Sequence, residues 1–189
     1  TLGAVLAQAR GNRAILTVLA LTPIFNIFVL PYLALIALVF LERFETGPTL
    51  AGSLTAVEGV GTVIGGVAIS ILQPKRRRLF FVAALVGLLV SVFLVGSVTS
   101  LVAVVGILVI AGMLSSLYSS MQSALIYTHC ESELRSPTFS LMTLSIGTGA
   151  LGTVNVTWMG HYLMVSEVVM VLAAEGIIAL MLVLAIVRC

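Results

Sequence analysis

QPKRRRLFFVAALVGLLVSVFLVGS, Gln73 to Ser97, is the stretch on which the fold turns. Four cations, Lys75 to Arg78, lead without a break into Leu79 to Val95, a run that is apolar on every face. Strands of a closed membrane barrel are about ten residues long and alternate polar with apolar side chains; this run is longer and does not alternate. A helix of about 20 apolar residues is what crosses roughly 30 Å of hydrocarbon. The stretch therefore reads as a basic turn leading into a transmembrane helix.

The same reading extends along the whole chain. Apolar segments run from Ala14 to Leu41, Leu50 to Leu72, Leu79 to Ser97, Leu101 to Tyr127, Thr138 to Leu163 and Val168 to Val187, each long enough to span. Their connections are short: Glu42 to Thr49, Gln73 to Arg78, Val98 to Ser100, and His129 to Pro137 with its flanks. Composition agrees, with 60% hydrophobic residues, 8% charged and a mean hydropathy of +1.25, whereas a soluble domain has about 25% charged residues. The fold class is all-α, a polytopic membrane protein of six helices. No soluble domain, low-complexity linker or cleavable signal peptide is expected.

Charge orients the bundle. Arg10, Arg13, Lys75, Arg76, Arg77, Arg78, Arg135 and Arg188 all fall on one side of the six segments, and Arg43 alone on the other. Excess cations mark the cytoplasmic face, so both termini are expected inside. The basic run between two spans is explained by topology or by anionic headgroups, and no nucleic-acid partner is expected from a net charge of +2.

Residues 1–13 read as a cytoplasmic connector and 14–189 as the bundle. Leu2, Val5, Leu6 and Ala9 share one helical stripe, with Gln8, Arg10 and Asn12 elsewhere; this is either an amphipathic helix in the interface or a frayed tail. Cys130 and Cys189 both fall on the cytoplasmic side, where thiols stay reduced, so no disulfide is expected. His129, Cys130 and Glu131 are adjacent, but a zinc site wants four ligands at set spacings and no second cluster exists; neither metal nor cofactor is expected. Nor do these residues supply a converging nucleophile, base and orienting group, so the chain is not read as an enzyme. His161, beside Trp158 and Tyr162, reads as part of an aromatic anchor at headgroup depth.

Ionisable groups at bilayer depth cost at least about 2.5 kcal/mol on insertion scales and are functional candidates by default. Glu58 and Glu175 qualify, each roughly 10 to 13 Å below the outer surface at 1.5 Å per residue. No Lys or Arg lies at that depth. Burial without a countercharge favours the neutral form of a carboxyl, which makes Glu58 above all a candidate proton or substrate carrier. In the fourth span Gly112, Ser116, Ser119 and Ser123 form one polar side, with Ser115, Tyr118 and Gln122 beside it; Tyr118 and Gln122 are candidate cavity-lining residues. Asn26 joins them, sharing a face with Thr22 in a first span that Pro23 and Pro31 interrupt, as transporter binding regions often are. Gly61 and Gly65 have GxxxG spacing, which allows two helix backbones to approach. Ser145, Gly149 and Thr153 in the fifth span, with Thr148, Gly152 and Asn155 beside them, read as a second close-packing seam.

Four stretches carry a family resemblance: Gln8 to Arg13; Gly59-Val60-Gly61 through Gly65-Gly66; the basic turn Gln73 to Arg78; and Glu131-Ser132-Glu133-Leu134-Arg135 followed by Ser140-Leu141. With the six-span layout they resemble the carboxy-terminal half of a major facilitator superfamily transporter, closest to the bacterial drug and siderophore exporter branch, over essentially the whole chain. The resemblance implies two inverted three-helix repeats, about 14–97 and 101–187. It further implies that the first and fourth spans line a pathway, that the second and fifth meet another six-helix half, and that the third and sixth are peripheral. Proton-coupled export of a small polar or amphipathic molecule across a bacterial inner membrane is the implied activity. The basic turn lacks the acidic residue of the superfamily's loop motif, and neither Glu58 nor Glu175 fits its pattern. Glu175, on a helix that the resemblance makes peripheral, is a candidate contact to a partner subunit. Three arrangements complete the pathway or replace it: a twelve-helix chain, a pair of half-size copies, or a non-transporting membrane subunit of a larger complex.

Overall fold

The computed structural model describes residues 2–188. They are helical over 87% of the chain and contain no strand. Six helical spans are long and apolar enough to cross a membrane: Arg13–Arg43, Pro48–Leu72, Arg77–Ser97, Leu101–His129, Ser132–Met159 and Val165–Ile186. The chain is a multi-pass membrane protein. A short helix, α1 (Leu2–Gly11), precedes them and packs with Val5 and Ala9 buried against the bundle. The side chains of Leu2 and Leu6, and all of Cys189, lie outside the described residues. Asn12 divides α1 from α2 (Arg13–Ile24), its side-chain oxygen accepting the Ala14 N–H at 3.0 Å, which satisfies an otherwise orphaned donor of the first turn.

Three of the spans are divided: the first, the second and the fifth. In the first, α2 passes through a π turn, Phe25–Val29, closed by the Leu30 N–H on the Phe25 carbonyl at 3.0 Å, before α3 (Tyr32–Arg43) resumes. Pro31 has no N–H to give to the carbonyl of Ile27 in an α-helical register, or to Asn26 in the π register. The fifth span divides at Gly147 and Thr148 into α8 (Ser132–Ile146) and α9 (Gly149–Met159). It begins at Ser132, earlier than the hydropathy suggests, and stops at Met159, so that His161 and Tyr162 lie in the exposed turn that follows. Arg135, in its first turns, donates to the Cys130 carbonyl just before it at 3.3 Å. The second span bends at Ala56 between α4 (Pro48–Thr55) and α5 (Val57–Leu72); the third, fourth and sixth are single helices, α6 (Arg77–Ser97), α7 (Leu101–His129) and α10 (Val165–Arg188).

Between helices in lipid the hydrophobic effect drives little, and close packing of small residues takes its place. The second and fourth spans meet along such a seam. A side chain on Gly65 would place its first carbon 2.7 Å from Met113 Cα, and one on Gly112 would stand 2.7 Å from the Thr62 nitrogen. The fifth span docks on the first in the same manner: a Cβ on Gly152 would collide with the Ile27 carbonyl and sit 2.7 Å from Pro31 Cγ. The carbonyl that Pro31 leaves without a donor is thus covered by glycine backbone. Arg43, the lone cation of its end, hydrogen-bonds the last carbonyls of α6 at Val95, Gly96 and Ser97, where a positive charge also meets the negative end of the helix dipole.

Candidate functional site

Glu58 is set one helical turn from Thr62 on the second span, and its main-chain carbonyl faces Gly112 across the seam. That close approach holds the second span in a fixed rotation, so the Glu58 side chain points along the edge of the fourth span rather than into lipid. It is 9% exposed. It borders a groove of about 520 Å³ whose polar wall is Thr55, Thr62, Ser115 and Ser119 and whose apolar wall includes Phe25, Leu33 and Ile36. Among the described residues no side chain hydrogen-bonds its carboxyl. The groove therefore joins one carboxyl, four hydroxyls and an aromatic face in the middle of the spans.

Asn26, Tyr118 and Gln122 lie together, behind that groove rather than in its lining. Gln122 donates to the Thr22 hydroxyl at 2.7 Å, Thr22 donates to the Val18 carbonyl at 2.7 Å, and Asn26 donates to the Thr22 carbonyl at 2.8 Å. This network ties the fourth span to the first, and all of its side chains are buried. Tyr118 is stacked between Phe25 and Phe81, with ring centroids at 4.5 and 4.7 Å. Phe25, which sits in the π turn, is shared: one side stacks on Tyr118 and the other borders the Glu58 groove.

The hydroxyls of Tyr118 and Tyr32 are buried; among the described residues neither has a well-formed hydrogen bond, and that of Tyr118 lies beside Thr22, whose hydroxyl already accepts from Gln122 and donates to Val18. Tyr32 stands out because it is 1% exposed and lies near Glu58. Sequence reading passed over it, although a tyrosine far from either end of an apolar span, beside a proline, is a detectable signal. Thr55 and Thr62 were passed over as well, since only the rotation fixed by the glycine seam brings them to the groove.

Glu175 is not alone. Asn155 of the fifth span donates to it at 2.6 Å, which supplies the internal partner that a search for Lys and Arg at that depth does not reveal. In the His129, Cys130, Glu131 run, Cys130 is buried and contacts Gln8 and Thr138, at 3.1 and 3.3 Å, while His129 is exposed. Among the described residues no group of three His, Cys, Asp or Glu is placed to hold a metal. Comparison with protein-family models, with curated proteins and with solved structures finds no match.

Proposed function

We propose that this bundle is one half of a secondary active transporter of the major facilitator type, which exports a small polar or amphipathic molecule in exchange for protons, with Glu58 as the proton carrier. One observation carries the reading: a nearly buried carboxyl at mid-span, without a cation, opens on a groove of hydroxyls. A carboxyl so placed is costly to keep unless it is used. The packing order supports two inverted repeats, because the second span lies on the fourth as the fifth lies on the first, and the third on the fourth as the sixth on the first. The basic turns then face the cytosol of a bacterial inner membrane, with both termini inside.

The partner half belongs against the second and fifth spans. These are the least buried, at 17% and 11%, against 50% for the first and third. The test is proton flux in proteoliposomes that hold the chain purified together with its second six-helix half, whether a partner or another copy, and an internal pH indicator, driven by an outward gradient of an amphipathic dye. Wild-type protein should couple dye and proton movement, Glu58→Asp should retain part of the coupling, and Glu58→Gln should abolish it while the protein remains monodisperse in detergent. The same exposed spans favour one alternative, a non-transporting subunit of a membrane assembly. A wild-type assembly of the chain with its copurifying membrane partner that still moves no protons decides for that alternative.

A further inference from the structure

A cavity larger than the Glu58 groove lies elsewhere in the bundle. It measures about 850 Å³ and lies at the basic end, where the starts of the first and third spans meet the end of the fourth. Five cations line it: Arg13, Lys75, Arg76, Arg77 and Arg78; no acidic side chain does. Its frame is fixed by hydrogen bonds. Asn12 caps α2 and donates to the His129 carbonyl at 3.2 Å, and Arg77 is held by the Thr128 hydroxyl. Among the described residues the guanidinium groups of Arg13 and Arg78 have no hydrogen-bond partner.

Topology alone explains why cations gather at this end, but not where they sit. Arg77 and Arg78 occupy the first turn of α6, with neither an acidic residue in that turn nor a side-chain cap. A helix start carries a partial positive charge and favours anions, so two arginines there repel both the helix end and one another. The arrangement lacks a negative group. A second cavity, of about 420 Å³, adjoins the first and shares Arg13, Arg78 and Leu79 with it. Its further walls are Val82 of the third span and Leu184 of the sixth. The cationic chamber therefore continues into a smaller slot whose apolar side is Leu79, Val82 and Leu184 and whose polar side is Arg13 and Arg78.

We propose that the two cavities together hold one anionic phospholipid, its phosphate between Arg13 and Arg78 in the cationic chamber and an acyl chain along Val82 and Leu184. The shape separates a lipid from a free anion. Inorganic phosphate satisfies the guanidinium groups but leaves the slot empty, whereas a phospholipid fills both. Paired arginines suit a phosphate through bidentate hydrogen bonds, and basic pockets between spans are where acidic headgroups bind. The inference does not depend on the transport reading.

The test is native mass spectrometry of the full chain after reconstitution into vesicles of phosphatidylcholine and phosphatidylglycerol in equal parts and mild extraction. Retention of phosphatidylglycerol over phosphatidylcholine is expected. Arg13→Gln with Arg78→Gln should lower it about thirtyfold, at roughly fivefold for each arginine near a headgroup, and Arg13→Lys with Arg78→Lys should keep most of it. Val82→Trp changes no charge and fills the slot; it should also remove the lipid, and it carries the test alone if the glutamine variant does not fold. Equal retention of both lipids overturns the proposal, as does phosphatidylglycerol retention that survives the glutamine and tryptophan variants. Displacement of the lipid by inorganic phosphate, with no effect of Val82→Trp, assigns the chamber to a free anion instead and overturns the lipid.

Discussion

Tyr118 separates what packing contributes from what polarity contributes. Its ring is clamped by two other aromatic rings, while its buried hydroxyl has beside it, among the described residues, only the Thr22 hydroxyl, which is already engaged with Gln122 and Val18. Stacked rings contribute beyond their buried area, whereas an unsatisfied buried hydroxyl opposes stability. Tyr118→Phe should therefore leave thermal stability in detergent unchanged or raise it by up to about 1 kcal/mol, and Tyr118→Ala should lower it by about 3 kcal/mol or more. A substantial loss in the phenylalanine variant, measured by thermal unfolding, would mean that the hydroxyl is engaged. Glu175 gives the complementary case. Its bond to Asn155 crosses from the sixth span to the fifth, and hydrogen bonds between membrane helices are modest, averaging about 0.6 kcal/mol. Glu175→Leu should thus cost about 1 kcal/mol in the same assay, and Glu175→Gln less, because an amide oxygen still accepts from Asn155.

At the scale of the helices, the seam between the second and fourth spans sets the site. Gly65→Leu would drive side-chain atoms into the Met113 backbone; overpacking of this kind costs about 1 to 3 kcal/mol, and here it would also turn Glu58 away from its groove. The variant should lose both melting temperature and coupled flux, where Glu58→Gln loses flux alone. This seam was legible from the Gly61 and Gly65 spacing, as were most span limits: the third and fourth helices end at Ser97 and start at Leu101, as hydropathy indicates. The fifth span was displaced toward its carboxy end, because hydropathy tracks the hydrocarbon whereas the helix extends beyond it, through Ser132, Glu133, Arg135 and Ser136 in its first turns. The π turn was not legible either. Two prolines announce a break, but which carbonyl the Leu30 N–H chooses depends on the fifth span packed against it. For the same reason Glu58 could be singled out by its depth alone, while its neighbours Tyr32, Thr55 and Thr62 emerge only from the tertiary arrangement.

For the molecule as a whole, the asymmetry of charge predicts a topology that labelling can check. In a background with Cys130 and Cys189 replaced by Ser, Lys75→Cys should react with an impermeant maleimide only from the cytosolic side, and Glu45→Cys only from the opposite side; the reverse pattern would invert the bundle. The six spans are not mechanically independent within that frame. The bend at Pro31 seats in the notch at Gly152 like a tooth in a slot, so the first span cannot straighten until the fifth withdraws. The two are then expected to move together. Phe25 lies less than two turns from that fulcrum and forms a wall of the Glu58 groove, so a push on the outer flank of the fifth span is delivered, through the bend, to the place where the carboxyl waits.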